Sequence, residues 1–301
     1  MINKFKKLDI VDISDELENN DISKNYKLRS QYMYGIITKT NKNITKGDKQ
    51  VIPYTLVQYW NDLKSIPFDV QKCIDSWKTV EKYGIKRILF DDKSAKQFIE
   101  ENLNSKYSEA FMRCGHPAMR SDYFRLCFLK INGGFYIDAD DVYKGEDIRS
   151  YFFNKKLKVQ PLCYDLKSNS MIKISDINIE LVDLQKLIFY VNNNPIIAPA
   201  NHPIINIALE RSTKILFKQV KKHKQDIQST TGPGNLTISL IYHEIKNRRK
   251  NEASDFEILN DWDSVSFSQW PLEYRNDNRN WRLWNGYFKE DIGDKNIFKQ
   301  K

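Results

Sequence analysis

The sequence predicts an α/β protein built on a mixed sheet flanked by helices, and three observations predict it. Between Pro53 and Tyr143, strand-like and helix-like stretches alternate in the order strand, helix, strand, helix, strand. That order lays mostly parallel strands side by side with helices over their faces. Gly133-Gly134 halts a helical pattern and hands over to the apolar run Phe135 to Ile137, which leads directly into Asp138 and Asp140. Apolar residues make up 41% of a 301-residue chain that also holds 16 Phe, 16 Tyr and 6 Trp, enough to fill a core and exclude a disordered chain.

In chain order, residues 1–50 read as a polar amino-terminal extension with short helices or turns, closed by the loop Thr40 to Asp48. Thr55 to Tyr59 is a strand, Val70 to Tyr83 a helix, Lys86 to Phe90 a strand and Ala95 to Leu103 a helix. Met119, Tyr123, Leu126 or Cys127, and Ile131 then recur at helical spacing up to the paired glycines. Beyond the acids, Met171 to Ile174 and Leu187 to Val191 are β-rich, while Pro203 to Lys222 and Asn235 to Arg249 read as amphipathic helices. The expected organisation is the extension, a half at 51–165 that carries the acidic motif, and a smaller β/α half at 166–301.

The chemistry concentrates between Arg120 and Asp141. In open α/β sheets ligands gather beyond the carboxyl ends of strands, so Asp138 and Asp140 are expected in a crevice. Side chains two apart on extended backbone share one face. Two hard oxygen donors on one face suit Mg²⁺ or Mn²⁺, which take one or two carboxylates and fill the remaining positions with phosphate oxygens and water. On the preceding helix, Asp122 and Arg125 stand three apart and Ser121 and Arg125 four apart, so all three share a side. A phosphorylated substrate follows.

The ordered set Ser121-Asp122-x-x-Arg125 and Gly133-Gly134-x-Tyr136-x-Asp138-x-Asp140 resembles the DXD-motif sugar transferases. The resembling group includes the yeast initiating α-1,6-mannosyltransferase, bacterial capsular sugar transferases and the glucosylating domains of large clostridial toxins. The dense match spans residues 118–143, with looser echoes across 50–290. The resemblance implies a GT-A-like, Rossmann-like fold and a retaining transfer of a hexose or N-acetylhexosamine from a nucleotide sugar, with UDP favoured, forming an α-linkage. A glycan, lipid-linked or protein-linked hydroxyl would accept it. No nucleophilic carboxylate can be assigned, so front-face attack within a tight ion pair is the implied course.

Carried over residue by residue, Asp138 would touch the nucleotide ribose and reach the metal through water. Asp140 would bind the metal, Asp122 and Arg125 would hold hydroxyls of the donor sugar beside Ser121, and Tyr136 would line the nucleotide pocket. Trp60, at the end of the first strand, would stack on the base. Asn194 to Pro199 with Asn201-His202-Pro203, and Thr231-Gly232-Pro233, resemble acceptor-side segments, which places His202 and Gly232 there, and Trp284 is expected on the same side. By chemistry alone His202 is a helix-start residue and Thr231 to Gly234 a turn signal before a helix.

One departure concerns the metal. Related chains often carry a His beside a Trp near the carboxyl terminus, and the comparable stretch here is Asn280-Trp281-Arg282-Leu283-Trp284-Asn285. With Leu-Trp-Asn as the anchor, Arg282 takes the place of the His. An arginine cannot ligate a cation, but its fork pairs with phosphate oxygens. Arg282 is therefore expected to neutralise the leaving diphosphate, or Asn285 to supply the missing oxygen ligand, and the requirement for Mn²⁺ or Mg²⁺ becomes an open test.

The remaining features set bounds. Cys73, Cys114, Cys127 and Cys163 show neither zinc-type spacing nor a disulfide framework and are expected as buried, reduced thiols. The amino terminus shows no apolar stretch suited to a signal peptide or a span, which predicts a cytoplasmic protein. A net charge of +9, with basic clusters at Lys155-Lys156-Lys158, Lys221-Lys222-Lys224 and Lys246 to Lys250, fits solvated faces or a peripheral contact with an anionic membrane bearing a lipid-linked acceptor. Two rivals stand beside the transferase. Asp138 and Asp140 also fit a haloacid-dehalogenase-like phosphohydrolase, which needs a further acidic pair that Asp261 and Asp263 supply poorly. A basic, aromatic surface could bind nucleic acid, but no recognition motif of that class is present, and no nucleic-acid partner is expected.

Overall fold

The computed structural model describes residues 25–39, 50–177, 183–218 and 225–284. The loop Thr40 to Asp48, the basic cluster Lys221-Lys222-Lys224 and Asn285 lie outside them. The first described element is helix α1 (Tyr26–Lys39). The expected alternation follows: β1 (Thr55–Tyr59), α2 (Phe68–Ser76, continued by a 3-10 helix to Tyr83), β2 (Lys86–Phe90), α3 (Asp92–Asn102), α4 (Ser105–Met112), α5 (Pro117–Asn132) and β3 (Gly134–Tyr136). Next come β4 (Asp141–Tyr143), β5 (Leu157–Asp165), β6 (Ser170–Ile172) and β7 (Leu187–Ala198). The chain continues with α6 (Pro203–Lys218), the single turn α7 (Ile227–Thr230), α8 (Pro233–Arg249), β8 (Phe256–Ile258) and β9 (Ser266–Ser268).

Among the described residues the main sheet has seven strands in the order β2-β1-β3-β7-β5-β6, with β8 also on β5. β1 runs parallel to β2 and β3, because helices carry the chain back between them. β7 runs antiparallel to both β3 and β5, so a parallel half joins an antiparallel half in the mixed α/β sheet the sequence predicts. β4 and β9 form a separate two-stranded ribbon.

Local chemistry sets the boundaries. Asp91 caps α3 in a reciprocal box with Ser94, whose backbone N–H donates to Asp91 Oδ1 at 2.8 Å while its hydroxyl accepts from the Asp91 N–H at 2.9 Å. α5 starts at Pro117 behind His116, whose Nδ1 accepts from the Ala118 N–H. Its far end needs two glycines. Gly133 and Gly134 have φ of 65° and 112°, and a Cβ would lie 2.5 Å from Ala200 N at the first and 2.8 Å from Thr55 O at the second. That close approach puts β3 directly between β1 and β7.

Phe135 and Ile137 enter one core layer with Leu56, Trp77, Phe152, Ile197 and Trp262. Tyr136, of opposite parity, enters the other with Val57, Tyr59 and Phe124. That second layer also takes in residues of α1, β5, β7, α6 and α8, so the halves expected at 51–165 and 166–301 share one core.

Helix α4 has no counterpart in the sequence reading, and three other elements differ from it. Residues 26–39, expected within a polar extension, form a helix that buries Leu28, Tyr32, Met33, Ile36 and Ile37. Ser30 Oγ ties that helix to β7, donating to Leu187 O at 2.8 Å and accepting from Phe189 N at 2.9 Å. β7 extends to Ala198 instead of ending at Val191, since Asn192-Asn193-Asn194 breaks the apolar pattern without breaking the ladder. α8 begins at Pro233, two residues before the apolar periodicity shows it. All four cysteines are buried and free. No helix among the described residues is long and apolar enough to cross a membrane.

Candidate active site

Because β1 and β3 are parallel, their carboxyl ends open at the same sheet edge, and antiparallel β7 brings Asn192 to Asn194 alongside. A cleft of about 470 Å³ lies there, lined among others by Trp60, Ser121, Asp122, Arg125, Asp138 and Asp140, and by Trp270, Arg275 and Arg282 from the carboxyl-terminal part of the chain. That volume lies within the range of small-molecule sites.

Asp138 is fixed at both its backbone and its side chain. Its N–H donates to Asn194 Oδ1 at 2.9 Å, while Oδ1 accepts from Arg125 Nη2 at 2.8 Å and from the Tyr136 hydroxyl at 3.2 Å. Burial pushes its carboxyl above the usual carboxylate range, opposed by the Arg125 charge and reinforced by Asp140. Asp140 Oδ2 accepts from the Tyr274 hydroxyl at 2.7 Å and is ion-paired with Arg275. Asp138 Oδ2 and Asp140 Oδ1 have no partner among the described residues.

Arg125 is only 2% exposed. It pairs with Asp122 Oδ1 at 2.9 Å and Asp138 Oδ1 at 2.8 Å, donates to Ser121 Oγ at 3.2 Å and to Asn193 O, and stacks over Tyr136 at 4.2 Å. Asp122 Oδ1 also accepts from Asn193 Nδ2 at 2.8 Å and its Oδ2 from Thr231 Oγ1 at 3.3 Å. Burial raises the Asp122 carboxyl while Arg125 pulls it down. A Cβ on Gly232 would approach Asp122 Oδ2 to 3.4 Å, so the glycine turn is brought against this acid.

The structure therefore gathers Trp60, Ser121, Asp122, Arg125, Asp138, Asp140 and Arg282 on one cleft and Gly232 just behind it. Trp60 stands at the mouth, edge-on to Tyr274 at 5.3 Å. Three expectations need correction. Tyr136 does not line the cleft: it is fully buried beneath it, donating to Asp138 and bonded to Ser121 Oγ at 2.6 Å. The sheet alternation that sends Phe135 and Ile137 to one face sends Tyr136 under α5. His202 does not reach the cleft either. Its Nδ1 accepts from the Ile204 N–H at the start of α6 and its Nε2 bonds the Asp255 carbonyl at 3.1 Å, the helix-start role that its chemistry alone suggests. Trp284 packs on His116, with ring centroids 5.3 Å apart, and Trp281 lines the cleft instead.

Three residues escaped the sequence reading. Arg275 and Tyr274 hold Asp140 from 134 to 135 positions away, a distance no local pattern spans. Asp141, buried between Ser268 Oγ at 2.6 Å and Asn194 Nδ2 at 2.9 Å, has a carboxyl pushed well above the usual range by burial and by Asp140 and Asp138. The run Asn192-Asn193-Asn194 inside an apolar strand was the available signal, since buried amides inside a sheet require polar partners.

Residues 67–149 match a family model described as a glycosyltransferase sugar-binding region containing the DXD motif. That stretch, which holds Asp122, Arg125, Asp138 and Asp140, is where the chain is similar to the DXD glycosyltransferases. Over 93 residues it is 30% identical to an uncharacterized glycosyltransferase of Acanthamoeba polyphaga mimivirus, which covers 31% of this chain and 37% of that relative. The chain thus aligns with little more than a third of the curated relative's length. Among solved structures, the PaToxG glycosyltransferase is similar at 18% identity and a TM-score of 0.47, covering 77% of this chain and 83% of that one. The catalytic domain of alpha-toxin from Clostridium novyi is similar at 12% identity and a TM-score of 0.38, covering 98% of this chain and 94% of that one.

Proposed function

We propose that the protein is a glycosyltransferase that moves a hexose or N-acetylhexosamine from a nucleotide sugar, UDP-linked by preference, to a hydroxyl of a glycan, a lipid-linked sugar or a glycoprotein, with retention and hence an α-linkage. The observation that carries this reading is the cleft in which Asp138 and Asp140, each with one carboxylate oxygen unpaired among the described residues, face Arg275 and Arg282 beside the aromatic ring of Trp60. A nucleoside diphosphate presents a flat base and two negative groups, and these side chains supply a stacking face and matching charges.

The two unpaired oxygens, Asp138 Oδ2 and Asp140 Oδ1, fit a hard divalent cation of the Mn²⁺ or Mg²⁺ type. Among the described residues no three His, Cys, Asp or Glu side chains are placed to hold a metal ion together, so such an ion would need its other ligands from substrate phosphates and water. When bound, such an ion would neutralise charge on the departing diphosphate. Arg282, with no hydrogen bond from its guanidinium to the described residues, stands where it would add to that neutralisation.

The side chains would divide the work. Trp60 would stack on the base. Asp122, anchored by Arg125, Asn193 and Thr231, would accept hydroxyls of the donor sugar through its remaining lone pairs, and Ser121 would hold the sugar's near side. Arg125, already committed to two carboxylates, would position them. The bond from the anomeric carbon to the diphosphate oxygen breaks with its electron pair on oxygen. The acceptor oxygen then bonds to that carbon and its proton passes to the departing oxygen. A basic face at Lys246 to Lys250 is where an anionic membrane carrying the acceptor would rest.

The deciding experiment screens UDP- and GDP-linked sugars by thermal shift and by release of nucleoside diphosphate, in EDTA and in Mn²⁺. Stabilisation and turnover with one sugar nucleotide are expected. Phosphate release from simple phosphomonoesters, with no response to any sugar nucleotide, would overturn the reading in favour of a phosphohydrolase.

A further inference from the structure

The carboxyl-terminal wall of the cleft holds two guanidinium groups that the fold leaves under-used. Arg275 lies flat on Trp270, 3.4 Å from the ring centroid, and Arg282 stands 5.4 Å from the same ring and 4.5 Å from that of Trp281. Of the Arg275 side chain's donors, only Nη2 is engaged among the described residues, with Asp140. Its Nε is buried without a hydrogen-bond partner among the described residues, which calls for an explanation in a buried polar atom. Arg275 and Arg282 sit close enough that the one depresses the other's basicity, which burial has already lowered. Two cations thus stand near one indole at the cleft wall, with Asp140 as the carboxylate that pairs with Arg275.

Resting on the transferase reading above, we propose that Arg275 is an exchangeable counter-ion: it pairs with Asp140 while the donor site is free and turns its fork to the diphosphate when a nucleotide sugar enters. Arginine forks match phosphate oxygens bidentately, and the stack on Trp270 pre-orients the plane of this one. The exchange has a consequence for the cation. While Arg275 holds Asp140 Oδ2, it satisfies the charge a divalent ion would otherwise neutralise, so the ion binds weakly alone and firmly together with the diphosphate. Metal and donor then arrive as a pair, and the enzyme does not sit loaded with an ion that activates water.

The test measures Mn²⁺ binding by electron paramagnetic resonance, and UDP binding by calorimetry, on the full chain and on Arg275→Met and Arg275→Lys. For Arg275→Met, Mn²⁺ affinity without nucleotide should rise about tenfold while UDP affinity in saturating Mn²⁺ should fall about tenfold, each equal to roughly 1.4 kcal/mol. Arg275→Lys keeps the charge but not the fork, so it should leave Mn²⁺ affinity near wild type and still weaken UDP. Opposite shifts would support the exchange, since damage to the fold lowers both affinities together. Unchanged Mn²⁺ affinity in Arg275→Met, or a loss of both, would overturn the proposal while wild-type UDP binding left the transferase reading intact. Failure of the wild-type protein to bind any nucleoside diphosphate would sink both.

Discussion

The acidic cleft and the cluster of His202, His243 and Asp255 are both assembled from polar groups of distant segments, yet they differ in what surrounds their leftover capacity. In the histidine cluster, His243 Nε2 meets Asp255 Oδ2 at 2.8 Å and Asn247 Nδ2 at 3.1 Å, and His202 bridges the start of α6 to the Asp255 carbonyl. None of these residues lines the cleft. In the cleft, by contrast, carboxylate oxygens of Asp138 and Asp140 that have no partner among the described residues border a space that admits a ligand. Polar groups joined inside packed structure hold elements together, whereas polar groups left incomplete beside a cavity are waiting for something to bind.

Substitutions can break this contrast. The largest effect is expected for Asp140→Ala, which should lower transfer by about a thousandfold or more, as for loss of a principal electrostatic group. Its melting temperature should stay within a few degrees of wild type, as calorimetry would show. Unfolding of that variant would class Asp140 with the histidine cluster. Asp122→Asn comes next: kcat should fall on the order of a hundredfold with UDP affinity little changed, because the amide keeps the shape but loses the charge that faces Arg125.

The mirror experiment is His243→Ala, which strips Asp255 and Asn247 of a buried partner. Denaturant unfolding should show a loss of about 1–3 kcal/mol, with kcat per folded molecule unchanged. A fall in kcat at unchanged stability would move that cluster into the site. The smallest effect is on pH. Burial lowers the His202 pKa from its ordinary value near 6.5, so the unfolded chain takes up a proton before the folded one does. The stability that neutral His202 contributes is complete above about pH 6.5 and is lost as pH falls below it through the folded value. A urea midpoint that declines from pH 7 to pH 5 in wild type, and declines less in His202→Asn, would bear this out. Equal slopes would assign the acid sensitivity elsewhere.

Much of this molecule was legible in its residues because the deciding interactions are local. Strand and helix periods over Thr55 to Phe90, the glycine pair that only positive φ and a close backbone approach explain, and acids at the end of a three-residue strand all declare themselves within a few positions. They determined the α/β class and the position of Asp138 and Asp140. What tertiary structure alone decided is who faces those acids. Arg275 and Tyr274 come from the far end of the chain, Asn193 and Asn194 from a strand whose length periodicity understated, and Tyr136 goes beneath the cleft because of which face of β3 its parity selects. The reason is physical: backbone period and turn chemistry depend on neighbours in sequence, whereas the pairing of buried charges depends on which surfaces the sheet order brings together.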